Sequence, residues 1–235
     1  KKHIKYFKKI LPVDFVLSEE GDCWAYGYDN SKMHVMPECV LFADSKAQIK
    51  DIVRYCFENT IPITTRGRGT GNTGGSVPIE NSVVLSLEKM NKIIDIDISN
   101  RLAVVQPGVI NKVLQDELQK ENFFWGPDPS SQDYSTIGGN IANNSAGPRA
   151  IKYGTPRDNI LGLEFISGTG EIHKTGVKTS KGVVGLDLTR LFVGSEGVLG
   201  ILSEATLKIL PLNNSIKTFE ITFETLKSAS DMIIM

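Results

Sequence analysis

Apolar residues recur with a clear period along much of the chain, and the pattern sharpens after Pro37. The run "CVLFA" (39–43) is continuously apolar and of strand length. Beyond it Ile49, Ile52, Val53, Cys56 and Phe57 share one face at helical spacing, which predicts an amphipathic helix ending before Pro62. Ser45, with Gln48 one helical turn on, gives that helix a capping-box start. "IPITT" (61–65) then reads as a second short strand, so a β-α-β unit delivers the chain to residue 66. Whatever follows leaves from the carboxyl end of a strand, the edge where α/β folds bind ligands.

Further on, "SVVLSL" (82–87), "KIIDIDI" (92–98) and "RLAVVQP" (101–107) are predicted strands, with "SNR" turning between the last two. A helix is predicted from Asn111 to Lys120 with Val113, Leu114 and Leu118 inward. The stretch 123–147 carries so many turn formers that no regular element is expected in it. "ILGLEFISGTGEIHK" (160–174) predicts a hairpin, because Gly168-Thr169-Gly170 separates two alternating runs. A short helix near 187–193 and a strand through 200–210 precede Pro211, and "KTFEITF" (217–223) and "ETLKSASDMIIM" predict one more strand and the start of a helix. Residues 1–36 show no period and read as short helices or loops. An uncapped apolar end and a first residue other than Met lead us to expect a fragment, cut just inside a second domain.

Composition narrows the classes. The 235 residues, 40% of them hydrophobic, suffice for a full core, and 26 basic against 27 acidic residues leave a net charge of -1. No basic field points to nucleic acid, no apolar stretch approaches the roughly 20 residues of a membrane span, and the expected address is the cytoplasm. Cys23, Cys39 and Cys56 lack any metal or disulfide spacing and read as structural thiols, while His3, His34 and His173 stand too far apart for a zinc motif. No metal site is expected.

The chemistry is concentrated in "TTRGRGTGNTGGSVP" (64–78). Its "GTGNTG" matches G-x-G-x-x-G literally, yet no helix starts within it, so a Rossmann site is not implied; nor does G-K-[ST] close it as a P-loop would. A plain turn needs one or two glycines, whereas five here cost about 2.5 to 5 kcal/mol to order relative to alanine. Successive N–H groups turned inward form a nest, and each hydrogen bond to a charged acceptor returns about 1.5 to 3 kcal/mol. The loop therefore reads as a site where backbone approaches an anion, with Arg66 and Arg68 as candidate added charge.

Together with "GPDPSSQDYSTIGGNIANNSAGPRAIKYGTPRDNILGLEF" and "LDLTRLFVGSEGVLGILSEATLKILP", this loop resembles the FAD-binding (PCMH-type) domain of the vanillyl-alcohol-oxidase-type flavoproteins, in the branch that holds glycolate oxidase and the D-lactate and other D-2-hydroxyacid dehydrogenases. The resemblance implies an α+β, two-lobed FAD-binding domain over 37–211, with subdomains 37–88 and 89–211, after an N-terminal extension (1–36) and before a truncated substrate or cap domain beginning at 212. It implies that Arg66, Gly67, Gly69, Thr70, Gly71, Asn72, Thr73, Gly74 and Gly75 hold the FAD pyrophosphate and that Pro127, Asp128, Pro129, Ser130 and Ser131 line the cofactor. Gly138, Gly139, Asn140, Ala142, Asn143 and Asn144 would run past the isoalloxazine and ribityl region, where the asparagine amides suit the flavin's polar edge. Tyr153 and Gly154 of "KYG" belong to the same cofactor set, and Glu196, Gly197 and Ile201 would sit near the adenosine half.

Three departures stand out: Ala146 where the family carries glycine, Leu186 where an aromatic is usual, and Thr70 where flavinylated relatives carry histidine. The last implies non-covalent FAD. The implied activity is oxidation of a D-2-hydroxy acid of glycolate or D-lactate type by hydride transfer to flavin N5. The partner would be an iron-sulfur or quinone-linked acceptor protein, which would bring this one to the inner membrane. No catalytic residue is assigned within the chain. Alternatives are a cell-wall precursor reductase using FAD and NADPH, and a nucleotide-binding module without redox function.

Overall fold

The computed structural model of the chain describes residues 2–179, 181–213, 215 and 217–234. The elements run α1 (Lys2–Ile10), β1 (Val16–Leu17), α2 (Glu20–Trp24), β2 (Cys39–Phe42), α3 (Lys46–Glu58), β3 (Ile63–Arg66), β4 (Val83–Ser86), β5 (Ile93–Asp97), β6 (Leu102–Val105), α4 (Asn111–Lys120) and β7 (Phe123–Trp125). Then follow α5 (Ile137–Ala142), α6 (Ala150–Tyr153), β8 (Ile160–Ile166), β9 (Ile172–Gly176), α7 (Leu188–Phe192), β10 (Ile201–Pro211) and α8 (Leu226–Ile234). They form an α+β fold with two sheets, and the division between the sheets falls between Ser86 and Ile93.

The first sheet has the order β1-β2-β4-β3. Its strands β2, β4 and β3 are parallel, with Cys39 opposite Val83 and Ile63 opposite Val83 on the two sides of β4. Every residue of β2 and β4 is buried, as expected of strands covered on both faces. One cover is α3, whose Ile49, Ile52, Val53 and Cys56 reach the core. Phe57, predicted on that face, is 63% exposed, because the buried stripe of the last turn is carried by its neighbour Cys56. At the helix start the capping box is displaced: Gln48 Oε1 accepts the N–H of Asp44 at 2.9 Å, and the Ser45 side chain caps nothing.

Residues 2–36 are built into this lobe. Phe7, Leu11, Phe15, Val16 and Cys23 belong to its core, Tyr6 stacks on Tyr55 of α3 at 3.7 Å, and β1 adds to the sheet antiparallel to β2. All three cysteines are free and buried here, and desolvation pushes the Cys39 and Cys56 thiols up to about 12.

The second sheet, β5-β6-β10-β8-β9, is antiparallel, and β10 is its spine, pairing with β6, β8 and β7. Leu114 and Leu118 of α4 pack into its core with Trp125, Ile137, Ile141, Leu207 and Ile209. Val113 is half exposed instead, because α4 meets the sheet along a narrow stripe. Two regular elements occupy the stretch where none was expected. β7 forms because Phe124 and Trp125 are buried against β10, with Trp125 Nε1 donating to the Asn159 carbonyl at 3.2 Å. α5 forms because Thr136 Oγ1 caps the N–H of Gly139 at 3.2 Å while Ile137 and Ile141 fill the core. Conversely, 217–223 belongs to no regular element and is largely exposed, so alternation there yields no strand.

The lobes are fastened by Glu164 of β8, which is buried. Its carboxylate receives Lys46 Nζ of α3 at 3.1 Å, Lys174 Nζ of β9 at 3.2 Å and Ser203 Oγ of β10 at 2.9 Å. Burial alone would raise its pKa, but these donors outweigh burial and hold it below the usual carboxylate range. Ile166 and Ile201 also cross the junction into the first core.

Candidate functional site

A cleft of about 590 Å³ opens between the two sheets, within the roughly 300 to 1,000 Å³ typical of small-molecule and cofactor sites. The first lobe supplies Asp29, Asn30 and the loop after β3. The second supplies Pro129 to Ser131, residues of α5 and its cap, and the segment around Glu196.

Parallel neighbours such as β3 and β4 are usually joined through a helix. Here residues 67–82 make the connection without one, as the missing helix signal predicted. Three of the loop's carbonyls are engaged: Thr70 O accepts Asn30 Nδ2 at 3.2 Å, Gly71 O accepts Asn30 N at 2.9 Å and Gly74 O accepts Val77 N at 3.0 Å. From Gly69 to Ser76, no backbone N–H donates to an acceptor among the described residues. The loop leaves a run of N–H donors available, which suits an anion.

Gly69 is fixed by the fold, with φ +65° and the Arg66 guanidinium where a side chain would be. Gly71 and Gly75 are not: neither has a positive φ, and an added Cβ would meet only Asp29 Oδ2 at 3.7 Å or Glu196 Oε2 at 3.5 Å. Both line the cleft, so the space they leave open is space for a ligand.

The two arginines of the loop are committed elsewhere. Arg66 is buried, donating from Nη1 to Tyr28 O at 2.6 Å and from Nη2 to Ala25 O at 3.4 Å, so its guanidinium backs the loop and anchors the N-terminal segment. Burial lowers its pKa, against the opposing charges of Glu88, Tyr26, Asp29 and Tyr28. Arg68 pairs with Glu88 at 2.8 Å. Their expected contribution as free charge is reduced accordingly, since both guanidiniums have partners within the chain.

The opposite wall is α5. Gly138 packs directly on Pro107, leaving 2.7 Å to a hypothetical Cβ, and this close approach sets the helix against the strand end. Asn140 lines the cleft but is buried, and its amide is spent inside: Nδ2 donates to Ser135 Oγ at 3.1 Å and Oδ1 accepts Asn111 Nδ2 at 2.9 Å. Asn143 donates to Gly139 O at 3.0 Å. Asn144 accepts the Arg157 N–H at 3.1 Å and stands off the cleft. Of the three amides expected to face a ligand, that of Asn140 is spent on Ser135 and Asn111 and that of Asn144 lies off the cleft, while Asn143 remains in the lining.

Of the sequence-predicted residues, the cleft gathers Arg66, Gly67, Gly69, Thr70, Gly71, Asn72, Thr73, Gly75, Pro129, Ser130, Ser131, Gly138, Gly139, Asn140, Ala142, Asn143, Glu196 and Gly197. Gly74, Pro127, Asp128, Asn144, Tyr153, Gly154 and Ile201 lie outside its lining. Asp128 instead braces the wall, bonding the Arg149 N–H at 3.1 Å and Arg149 Nε at 3.3 Å, and Tyr153 packs on Phe124 with its hydroxyl held by Asn213 at 2.9 Å. Ile201 is core. Ala146 has no positive φ, and its carbonyl accepts the Asp128 N–H at 2.8 Å, so its methyl is accommodated; Leu186 is exposed and away from the cleft. Sequence reasoning missed Asp29, Asn30, Leu87, Pro107 and Thr136. Only Thr136, a Thr before a helical turn, carried a local signal.

FAD fits these residues: unpaired N–H donors for its pyrophosphate, glycines without side chains along the wall, and apolar Leu87, Pro107, Phe192 and Leu202 between them. Among the described residues there is no group of three His, Cys, Asp or Glu that could hold a metal, and no helix long and apolar enough to cross a membrane.

Comparison with known proteins agrees. The glycolate oxidase subunit GlcD of Bacillus subtilis (strain 168) is 43% identical over 209 residues, 88% of this chain and 44% of that protein. The D-lactate dehydrogenase of Anaerostipes hadrus is 37% identical over 226 residues, 95% of this chain and 47% of that protein. The chain thus spans about half the length of these relatives. An alkyldihydroxyacetonephosphate synthase structure superposes with a TM-score of 0.80 at 23% identity over 91% of this chain and 44% of the other, and p-cresol methylhydroxylase with 0.76 at 23% over the same shares; at that identity they show the fold. Residues 37–176 match the FAD binding domain family. With that match over more than half of its length, a cleft of FAD's chemistry and a shared two-lobed fold, the chain belongs to the FAD binding domain family, and FAD is its cofactor.

Proposed function

We propose that the chain is the FAD-binding part of an oxidoreductase that oxidises a D-2-hydroxy acid of glycolate or D-lactate type. The observation that carries its cofactor role is the set of unpaired N–H donors of residues 69–73, 75 and 76 on the wall of the cleft. The names of the relatives carry its substrate class.

In this reading the amides between Gly69 and Ser76 hold the pyrophosphate, and the Arg66 guanidinium supports it from behind without touching it. Pro129 to Ser131 and the α5 residues Gly138, Gly139, Asn140 and Ala142, with Asn143 after them, form the wall beside the flavin and ribityl chain, while Glu196 and Gly197 flank the adenosine half. Pro127, Asp128, Asn144, Tyr153, Gly154 and Ile201 support that wall rather than contact the cofactor. When bound, FAD supplies the hydride acceptor, N5 of its ring, for the alcohol carbon of the substrate. The chain's own residues orient the cofactor and exclude water through Leu87, Pro107, Phe192 and Leu202. Among the described residues no His, Cys or Tyr lines the cleft, which supports non-covalent FAD.

GlcD is named as a subunit. We extend that to an acceptor protein, iron-sulfur or quinone-linked, for this chain, and to a cytoplasmic address reached at the inner membrane through that partner. The test takes the protein in the longest form its gene encodes, loads it with FAD and mixes it anaerobically with D-lactate, glycolate and NADPH in turn. Bleaching of the flavin band by either hydroxy acid is expected. Bleaching by NADPH alone would favour a reductase, and a protein that stays colourless with FAD would favour a non-redox module.

A further inference from the structure

The cleft holds a charged group that the cofactor reading leaves unused. Asp29, in the turn after α2, is only 3% exposed, yet it lines the cleft beside the glycine loop. Its two oxygens differ. Oδ1 accepts the N–H of Ser31 at 2.9 Å and closes the local turn. Oδ2 is buried and has no hydrogen-bond partner among the described residues, and it is the atom that an added Cβ on Gly71 would meet first, at 3.7 Å. A buried carboxylate oxygen left without a donor is costly unless something else supplies one.

The donor's chemistry can be narrowed. Another anion is excluded, since the carboxylate only accepts. A metal ion is disfavoured, because no group of three His, Cys, Asp or Glu surrounds the site among the described residues, and the charge of Arg66 already acts on Asp29. A neutral hydrogen-bond donor remains. In FAD the neutral donors nearest the pyrophosphate are the sugar hydroxyls on either side of it, those of the ribityl chain and those of the ribose. Gly71 sits in the amide row that would hold the phosphates, so Oδ2 lies beside the place where those hydroxyls would run.

We infer that Asp29 is a cofactor-binding residue that accepts a hydrogen bond from a sugar hydroxyl of FAD through Oδ2. This rests on the FAD reading of the cleft and adds to it a ligand contact from the N-terminal segment. The same segment carries Asn30, which pins Thr70 O and Gly71 O. A single turn therefore fixes the loop's shape and reads the sugar beside it.

The test compares the wild-type chain with Asp29→Asn and Asp29→Ala by FAD titration, monitored by flavin fluorescence, with the melting temperature of each apo-protein measured alongside. Asp29→Asn keeps an acceptor for Ser31 and replaces the free acceptor by an N–H₂, so its apo melting temperature stays near wild type while FAD binding weakens about tenfold or more. Asp29→Ala weakens binding too and also loosens the turn. Competition by FMN and by ADP, whose sugar hydroxyls lie on the adenosine side alone, then locates the hydroxyl: a penalty confined to FMN assigns it to the ribityl chain, and one confined to ADP assigns it to the ribose. Unchanged FAD affinity in Asp29→Asn overturns the inference and leaves the cofactor reading intact. An equal loss for all three ligands with a lowered apo melting temperature also overturns it, because that outcome marks a structural role. Failure of the wild-type chain to bind FAD removes the cofactor reading and this inference with it.

Discussion

Replacing single glycines of the 67–76 loop by alanine separates those that the fold requires from those that a ligand requires. Gly69 has φ +65°, and its missing side chain leaves room for the Arg66 guanidinium. Alanine there costs about 1 to 2 kcal/mol for the left-handed backbone alone, and displacing Arg66 adds the loss of its bonds to Tyr28 O and Ala25 O. For a chain of this size, each kcal/mol lowers the melting temperature by roughly 2 to 4 °C. Gly71→Ala and Gly75→Ala meet nothing closer than 3.5 Å and keep an ordinary φ, so alanine should leave the apo-protein unchanged or stabilise it by about 0.4 to 1 kcal/mol through the unfolded chain. A methyl at either position would stand on the cleft wall where a phosphate must approach the amides. Losing one such bond costs about 1.5 to 3 kcal/mol, roughly a 10- to 100-fold loss in FAD affinity. Differential scanning fluorimetry without FAD, followed by FAD titration, reads both quantities. Gly71→Ala and Gly75→Ala that bind FAD as tightly as wild type, or that lower the apo melting temperature as much as Gly69→Ala, would refute the reasoning.

Other outcomes follow from the same structure. Arg66→Ala should destabilise the apo-protein by about 2 kcal/mol or more by unfastening the N-terminal segment, whereas Arg68→Ala, which breaks a half-exposed pair, should stay within about 0.5 kcal/mol in urea denaturation. The folded-state pKa of Glu164 lies below its unfolded value, so its contribution to stability is full above the unfolded carboxylate range near pH 4.3 and is lost as the pH falls through the folded pKa. Glu164→Gln should therefore cost about 2 kcal/mol at neutral pH and flatten the acid limb of a stability profile measured by urea unfolding. Acid precipitation of the FAD-loaded protein should release all flavin to the supernatant; a yellow pellet would show a covalent bond. Cys23, Cys39 and Cys56 should resist a thiol reagent in the native state and react fully in denaturant, since all are buried and desolvation raises their pKa values.

Elements governed by local pattern were legible in the sequence. Helix α4 runs from Asn111 to Lys120 as its spacing predicts, the strands other than β1 and β7 fall where apolar runs predict them, and the glycine loop leaves a strand end without a helix. What tertiary contact decides was not legible. Trp125 makes β7 a strand because β10 is there to bury it. Phe57 and Val113 obey helical spacing but fall outside the stripe that each helix buries. Arg66 and Asn140 were read as groups facing a ligand, yet both are spent on backbone or side-chain partners distant in sequence. Asp29 and Asn30 carry no motif; they reach the cleft because the segment of residues 2–36 packs into the first lobe's core.

The measurement that tests the central claim most directly is FAD titration into the purified chain, with flavin fluorescence and melting temperature recorded together. Saturable binding at one FAD per chain, with a melting temperature that climbs as free FAD increases, is the predicted result, because a ligand of the native state must stabilise it. FAD that leaves both the fluorescence and the melting temperature unchanged would contradict the assignment of the amide row and the cleft to this cofactor.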